Sequence, residues 1–464
     1  MIRTLPIMIA ALGAIIPIQA LADENTTSLQ IYDHAIYFDG YNTLEGISDA
    51  SKAMIDWNDG ILRHSTSLYA VKLTDEQLAT IGENLSMLVE IGALCDNYDR
   101  IGNINLALVP KGAESYNPDE TTRLEIGRFI TPFMNKNIEP TSVPYNYDIK
   151  NVSSILRDMQ LREQYDIWVE FELFGIPYAA NQQVRGCADR QDVFTGTLTF
   201  FTDPTPAPAA DTHVLVPIVM KKPEHKGGNF NTYGEGCTDT PGRCVKTWTF
   251  DVPEDVTDSH IVLITSNHGA NAGGEEYNRR EHRVFFDGHL TYIYTPGRES
   301  CEPFRQYNTQ PNGIYGRSPM TDAEWQSFSN WCPGDVIDNR VIHLGPLAKG
   351  EHAVKIRVNG AKFANNQGDI PVSMYFQGVT EGEMPHPASV DRVQADHGTS
   401  ISINGDVCGI GTQARVIRLY DIAGNLLEME FNASEVSLAK CGRGVGIMLI
   451  EHYDGENECH KIIR

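Results

Sequence analysis

Positive charge is what this chain most lacks. Its 464 residues carry 37 Lys and Arg against 61 Asp and Glu, a formal net charge of −24. Phosphate binding needs a cationic face, so no nucleic acid is expected as a partner, and no adsorption to anionic membranes. Long apolar runs are missing too. Beyond the first residues nothing approaches the ~20 apolar residues of a spanning helix, so no membrane insertion is expected. Helical patterning is sparse, confined to Asp75-Glu-Gln-Leu78 and Val152–Gln160. What remains, 41% hydrophobic and 21% charged, is ordinary globular composition. The length suits about two or three domains.

The N-terminus carries an export signature. Arg3 gives a short positive region and Leu5–Ile18 is apolar apart from small residues and prolines. Ala20-Leu21-Ala22 then fits the small-x-small cleavage rule, leaving Asp23 first. Pro6 and Pro17 interrupt the run, which argues against a retained anchor. Residues 1–22 therefore read as a signal peptide, and the protein as secreted, periplasmic or displayed at the cell surface. In an exported chain the nine cysteines point to disulfides. Cys237 and Cys244 flank the tight turn Pro241-Gly242, and Cys301 with Cys332 is a second expected pair. Cys95 with Cys187, and a bridge among Cys408, Cys441 and Cys459, remain open. One thiol must stay odd.

Short β-type runs separated by turn residues dominate the rest. They are Leu68–Leu73, Met87–Leu94, Ile104–Val109, Leu124–Ile130, Tyr165–Phe174 and Val193–Phe201, then Val214–Met220, Lys246–Phe250, His260–Thr265, Arg283–Phe286, Val341–Leu344, Ala353–Val358 and Pro371–Phe376. This length and spacing predict antiparallel sandwiches, an all-β protein. The proline-rich break at 202–210 separates a first domain, 67–205, from a second, 211–380. Residues 23–66 form an N-terminal extension, with an edge strand expected at Leu29–Phe38. The aperiodic stretch 288–339 reads as a functional insertion. A linker with Pro385 and Pro387 leads to a small β domain at 390–464, where Ala423-Gly-Asn is expected to turn a hairpin.

Three clusters carry chemistry. Cys95-Asp-Asn-Tyr-Asp-Arg100 packs two carboxylates, an aromatic ring and a guanidinium behind a buried strand, Leu85–Leu94. Asp99 beside Arg100 is the arrangement in which an Asp stays ionised at neutral pH and can activate water. Read locally, the same stretch fits a strand end with a structural disulfide. In Trp168-Val-Glu-Phe-Glu172, strand alternation places Trp168, Glu170 and Glu172 on one face, suited to sugar or simply to solvent. In the loop 267–283, Gly269, Gly273 and Gly274 allow tight bending, while His268, Glu275, Glu276, Arg280 and His282 supply acids, bases and donors. Two histidines and two glutamates raise a zinc or copper site, but the spacing matches no strict metal motif. No metal and no cofactor is the expectation.

Five ordered stretches resemble the peptide-N-glycosidase F family. Cys95–Arg100 is similar to its C-D-x-W-D-R, and Glu125-Ile-Gly-Arg-Phe-Ile-Thr-Pro132 to its E-I-G-R-F-I-T-P. Ile167-Trp-Val-Glu170 resembles I-Y-T-E, Glu276-Tyr-Asn-Arg-Arg-Glu-His282 resembles E-W-C-F-R-T-H, and Asn330-Trp-Cys-Pro-Gly334 resembles G-W-C-P-G. The likeness covers about residues 67 to 380. It implies two adjacent eight-stranded antiparallel jelly-roll sandwiches with an active site along their interface. It also implies hydrolysis of the amide joining N-acetylglucosamine to Asn, on N-glycosylated proteins or glycopeptides, by a monomer. By that resemblance Asp99, Glu276 and Glu170 are catalytic. Arg100, Tyr98, Trp168, Glu172, His268, Tyr277, Arg280, His282 and Trp331 are expected to contact substrate.

The departures are specific. Tyr98 and Tyr277 replace tryptophans, Glu172 stands where the family has Trp, and Gly274 and Asn278 stand where flanking cysteines would close a local disulfide. The family's arginine before W-C-P-G is missing from 324–330. The carboxylate frame is kept while the sugar wall is rebuilt. The last block resembles C-terminal sorting domains of type IX secretion in Bacteroidota, through Leu419-Tyr-Asp-Ile-Ala-Gly-Asn425, Gly444–Ile450 and Lys461-Ile-Ile-Arg464. A non-catalytic glycan-binding protein on the same scaffold is the alternative. A copper oxygenase, which shares the double sandwich, lacks support because no histidine ligand clusters stand out.

Overall fold

The computed structural model describes residues 26–210, 212–220, 244–269, 274–310, 315, 318–358, 360–361, 368–385, 402–404, 407–421, 426–441, 445–451 and 457–463. The expected signal peptide, Cys237 with the Pro241-Gly242 turn, Gly273, Pro387 and the 423–425 turn lie outside these residues.

The first half of the chain forms nine strands: β1 (Thr27–Phe38), β2 (Leu62–Arg63), β3 (Leu68–Lys72), β4 (Leu85–Ala93), β5 (Ile101–Pro110), β6 (Thr122–Ile130), β7 (Ser142–Asp148), β8 (Tyr165–Leu173) and β9 (Asp192–Thr202). One sheet runs β1-β9-β4-β7 and the facing sheet carries β6-β5-β8-β3-β2 in that order. Their inner faces meet in a single apolar core that includes Tyr37, Val89, Ile104, Phe129, Phe171 and Phe200. Two sheets with one buried face each have few other ways to hide both. β1 pairs with β9 and β2 with β3, so the N-terminal extension supplies an edge strand to each sheet. β7 was not expected because Pro144 interrupts its pattern. It lies at a sheet edge, the place where a missing backbone N–H is tolerated.

The second half contributes β10 (His213–Val219), β11 (Cys244–Val252), β12 (Asp258–Thr265), β13 (His282–Phe286), β14 (His289–Tyr294), β15 (Val336–Ile337), β16 (Arg340–His343), β17 (Gly350–Val358) and β18 (Val372–Val379). They form sheets β10-β18-β12-β16 and β11-β17-β13-β14 around a second core built on Leu263, Val284, Ile356 and Phe376. The aperiodic insertion begins later than expected, because 289–294 is a strand. Asp287 and Gly288 both adopt positive φ, the signature of a tight hairpin turn. β15 leaves the second half and pairs with β6 of the first sandwich. Gly334, at φ +99°, makes the bend that delivers it, and its N–H donates to Ile130 O at 2.9 Å.

The two halves also share a buried ion pair. Glu125 and Arg128, both 0% exposed, face each other on β6 through two bonds of 2.7 Å. Arg128 donates onward to Ser266 Oγ (3.0 Å) and Pro371 O (2.9 Å), and Ser373 Oγ donates to Glu125. A charge pair enclosed this fully needs its remaining polar valences filled, and the second half fills them. The Glu125–Pro132 motif is therefore a joint between the halves. At the C-terminus β19 (Ser402–Asn404), β20 (Val407–Asp421), β21 (Leu426–Ser437), β22 (Val445–Glu451) and β23 (Asn457–Ile463) make one antiparallel sheet. Cys408 and Cys441 are free thiols there.

Candidate active site

Asp99 follows β4 and leads into β5. Its loop is held from three directions. Cys95 is disulfide-bonded to Cys187, and Asn97 Nδ2 donates to Gln183 Oε1 at 2.8 Å on the short helix Tyr178–Gln183. Thr131, from the joint motif, exchanges bonds with Arg100: Arg100 N–H donates to Thr131 Oγ1 and Thr131 N–H to Arg100 O, each at 2.7 Å.

The structure separates the two aspartates three apart. Asp96 is fully buried and saturated, accepting from Arg100 Nε (2.7 Å) and Nη2 (3.3 Å), Ile176 N (2.7 Å) and Tyr98 N (2.9 Å). Its task is to fold the loop. Asp99 Oδ2 is enclosed and has no hydrogen-bond partner among the described residues. The expectation that Arg100 keeps Asp99 ionised at neutral pH is corrected here. The guanidinium turns to Asp96, while burial, then the charge of Glu276, push the Asp99 carboxyl up to about 7. Desolvation and a like charge together outweigh one neighbouring cation whose hydrogen bonds are committed elsewhere.

Glu276, whose charge acts on this carboxyl, comes from the second half of the chain. Gly269, at φ +102°, opens its loop and donates its N–H to Glu276 Oε2 at 3.2 Å. Tyr277 hydrogen-bonds the same carboxylate, and burial raises the Glu276 pKa above the ordinary carboxylate range. Tyr277 is itself pushed upward, by burial first and then by Glu276 and Asp99. Where the resemblance expects a disulfide, Asn278 Nδ2 donates to Gly274 O at 2.9 Å. Asn330 Nδ2 donates to Glu276 O, and Trp331 Nε1 to Asn267 O at 2.8 Å. Tyr98 and Tyr277 both lie against a cluster formed by Phe133, Tyr315, Trp325 and the Cys301–Cys332 disulfide. The insertion thus walls the Asp99–Glu276 group.

Other expected residues lie differently. Glu170 is 0% exposed and held by Arg123 (2.6 Å), Tyr116 OH (2.8 Å) and Asn105 Nδ2 (2.9 Å). In register it faces Asn105, four residues into β5 from Ile101, roughly 13 Å along the strand from where the Asp99 loop ends. The structure does not bring Glu170 into the Asp99–Glu276 group. Trp168 and Glu172 share its face as alternation required, but that face is neither a solvent face nor an open sugar platform. Leu62 and Tyr116 pack over it, and His64 stacks edge-on to Tyr116. Trp331 is 4% exposed and turned inward against His268, so its indole braces the loop instead of offering a surface. His268 Nε2 pairs with Ser266 Oγ at 2.7 Å. Arg280 forks onto Glu275 (2.7 and 3.1 Å).

His282 is corrected outright. It is buried, stacked on Tyr294 at 4.7 Å, with Nδ1 bound to Arg280 O at 2.8 Å. Burial pushes its pKa down to about 3, so it is a neutral core residue. Among the described residues no three His, Cys, Asp or Glu are grouped to hold a metal ion. Sequence reasoning missed Arg123, Tyr116 and Asn105 around Glu170, and the bracing role of Asn330. Only Asn330 stood inside a quoted motif.

Known proteins bear on this arrangement. Two family models match the chain in order, Peptide-N-glycosidase F, N terminal, over residues 28–187 and Peptide-N-glycosidase F, C terminal, over residues 239–377. The structure of PNGF-II aligns with a TM-score of 0.53 at 18% identity, covering 77% of this chain and 66% of its own, just under two thirds of its length. PNGase F, a glycosylasparaginase from Flavobacterium meningosepticum, aligns with a TM-score of 0.49 at 14% identity over 78% of this chain and 97% of its own. No curated protein matches. The PNGF-II likeness shows the fold, a two-domain β architecture. With one family half matched on each sandwich, in chain order and over well over half its length, the chain belongs to the peptide-N-glycosidase F family.

Proposed function

We propose that this protein is an exported amidase that hydrolyses the bond between N-acetylglucosamine and the Asn side chain of glycoproteins or glycopeptides. One observation carries the reading: a partnerless, enclosed Asp99 oxygen beside Glu276, each carboxylate supplied by a different half of the chain. Above its raised pKa, Asp99 takes a proton from water as the water oxygen adds to the amide carbonyl. The carbon–nitrogen bond then breaks. The proton passes to the leaving nitrogen, so the products are a glycosylamine and Asp. Glu276, whose carboxyl the same burial raises, orders the water and the first sugar. Arg100 acts on the loop through Asp96.

Incubation with a glycopeptide should leave Asp at the former glycosylated Asn, and Asp99→Ala should release nothing. Release that persists in Asp99→Ala, or that depends on added metal, sinks the reading. A glycan-binding protein without turnover is the second reading. It is favoured by the inward Trp331 and by tyrosines in place of the family's tryptophans, and it requires glycan binding with no release. Export follows from the N-terminal signature, and the last sheet is read as a type IX sorting domain. No helix among the described residues is long and apolar enough to cross a membrane.

A further inference from the structure

We propose that Asn330 is a positioning residue: its carboxamide locks the Glu276 loop to the backbone at Asn267 and so sets how closely Glu276 approaches Asp99. The side chain is 3% exposed and its hydrogen-bonding capacity is heavily used. Oδ1 accepts from Asn267 N at 2.9 Å, while Nδ2 donates to Asn267 O at 3.2 Å and to Glu276 O. Exchanging both backbone bonds with one residue is what a strand neighbour does in an antiparallel pair. Asn330 imitates that neighbour two residues after β12 ends. Its second N–H then carries the connection across to Glu276.

Within the loop Gly269 N–H donates to Glu276 Oε2, Glu276 N–H to Gly269 O at 3.3 Å, Asn278 Nδ2 to Gly274 O, and Arg280 forks onto Glu275. Asn330 adds an anchor from outside the loop, on the backbone of Glu276 itself. Removing it takes the partner from the Asn267 N–H and from the Glu276 carbonyl, while the Asn267 carbonyl keeps Trp331 Nε1; each loss is costly unless the loop moves to find a new partner. Movement takes Glu276 away from Asp99. The charged and titratable groups acting on Asp99 are Arg100 and Asp96 on its own loop, Glu276 and Tyr277 on the second-domain loop, and Tyr315 on the insertion. Among them only the Glu276 loop is held by Asn330.

This inference rests on the amidase reading for its kinetic arm alone. In the full chain, Asn330→Ala should lower kcat for a glycopeptide about tenfold, the scale of a displaced acid–base partner, with KM little changed. Its Asp99 carboxyl, followed by carbon-detected NMR, should titrate about half a unit or more below wild type as the like charge withdraws. A folded variant whose Asp99 titrates as in wild type overturns the proposal, whatever its activity. If Asn330→Ala does not fold, Asn330→Ser is read in the same way. Failure of both to fold assigns Asn330 to folding and also overturns it. A wild-type protein that releases no glycan would defeat the amidase reading, and the Asp99 titration would still decide this one.

Discussion

Two carboxylate centres lie within the same sandwich and solve opposite problems. Glu170 is enclosed with a full set of donors: a guanidinium, a phenol and a carboxamide converge on it. Asp99 is enclosed with an oxygen left over and another carboxylate beside it. The first arrangement surrounds the carboxylate with donors and spends its chemistry on holding strands together. The second destabilises the ionised form and keeps a lone pair free for a guest. Burial alone does not mark a reactive carboxylate. An incomplete set of partners does, because an unsatisfied buried group is tolerated chiefly where something else completes it.

The sharpest way to break this contrast is Asp99→Asn, which should cut glycan release about a thousandfold while stabilising the fold at alkaline pH. Folded, Asp99 keeps its proton up to about pH 7; unfolded, it loses it near pH 4. The unfolded state therefore binds fewer protons between those values, and stability falls as pH rises through that window. Asn escapes the loss, so thermal melts should place the variant above wild type at pH 8 and level with it below pH 4. Equal melting at pH 8 would mean that Asp99 is not held in the raised state.

Glu170→Ala should do the reverse, costing about 3–5 kcal/mol in urea unfolding because buried Arg123 loses its hydrogen-bonded partner and keeps only Glu172, 4.0 Å away. Glu170→Gln keeps the hydrogen bonds and should hold kcat within about tenfold of wild type, less than expected for an acid or base in contact with substrate. A loss as deep as that of Asp99→Asn would return Glu170 to the reacting group. Glu276→Gln should lower release about a hundredfold and move the acid limb of the pH–rate profile downward, because the like charge that helps raise Asp99 is gone. An unmoved limb would leave burial as the whole cause. The smallest effect belongs to His282→Phe. A histidine pushed down to about 3 carries no charge at working pH, so kcat/KM should change less than about twofold and no limb should vanish from the profile.

Strand positions were largely legible because alternation and turn residues act locally. β4, β6, β8 and β12 lie within a few residues of where apolar runs placed them. β7 and β14 were missed for local reasons as well: a proline tolerated at an edge, and an Asp-Gly turn inside a polar stretch. The family resemblance was legible because its motifs are short and ordered. The enclosure of Glu170 was not legible because alternation shows which side chains share a face and not what covers it. Leu62, His64 and Tyr116 come from far along the chain to do that. His282 was misjudged because its polar type suits a site, whereas its stack on Tyr294 depends on strand pairing.

By itself the sequence determined an all-β chain of two successive sheet-rich blocks, and the residue types available for amide chemistry, since periodicity and motif are properties of neighbours in the chain. Tertiary structure decided how those residues are disposed. It turned Arg100 onto Asp96, saturated Glu170, buried Trp331, and brought Glu276 to Asp99 from 177 residues away, the difference between their numbers. Charge, burial and unfilled hydrogen bonds depend on what else occupies the surrounding space, and that exists only once the two halves have docked.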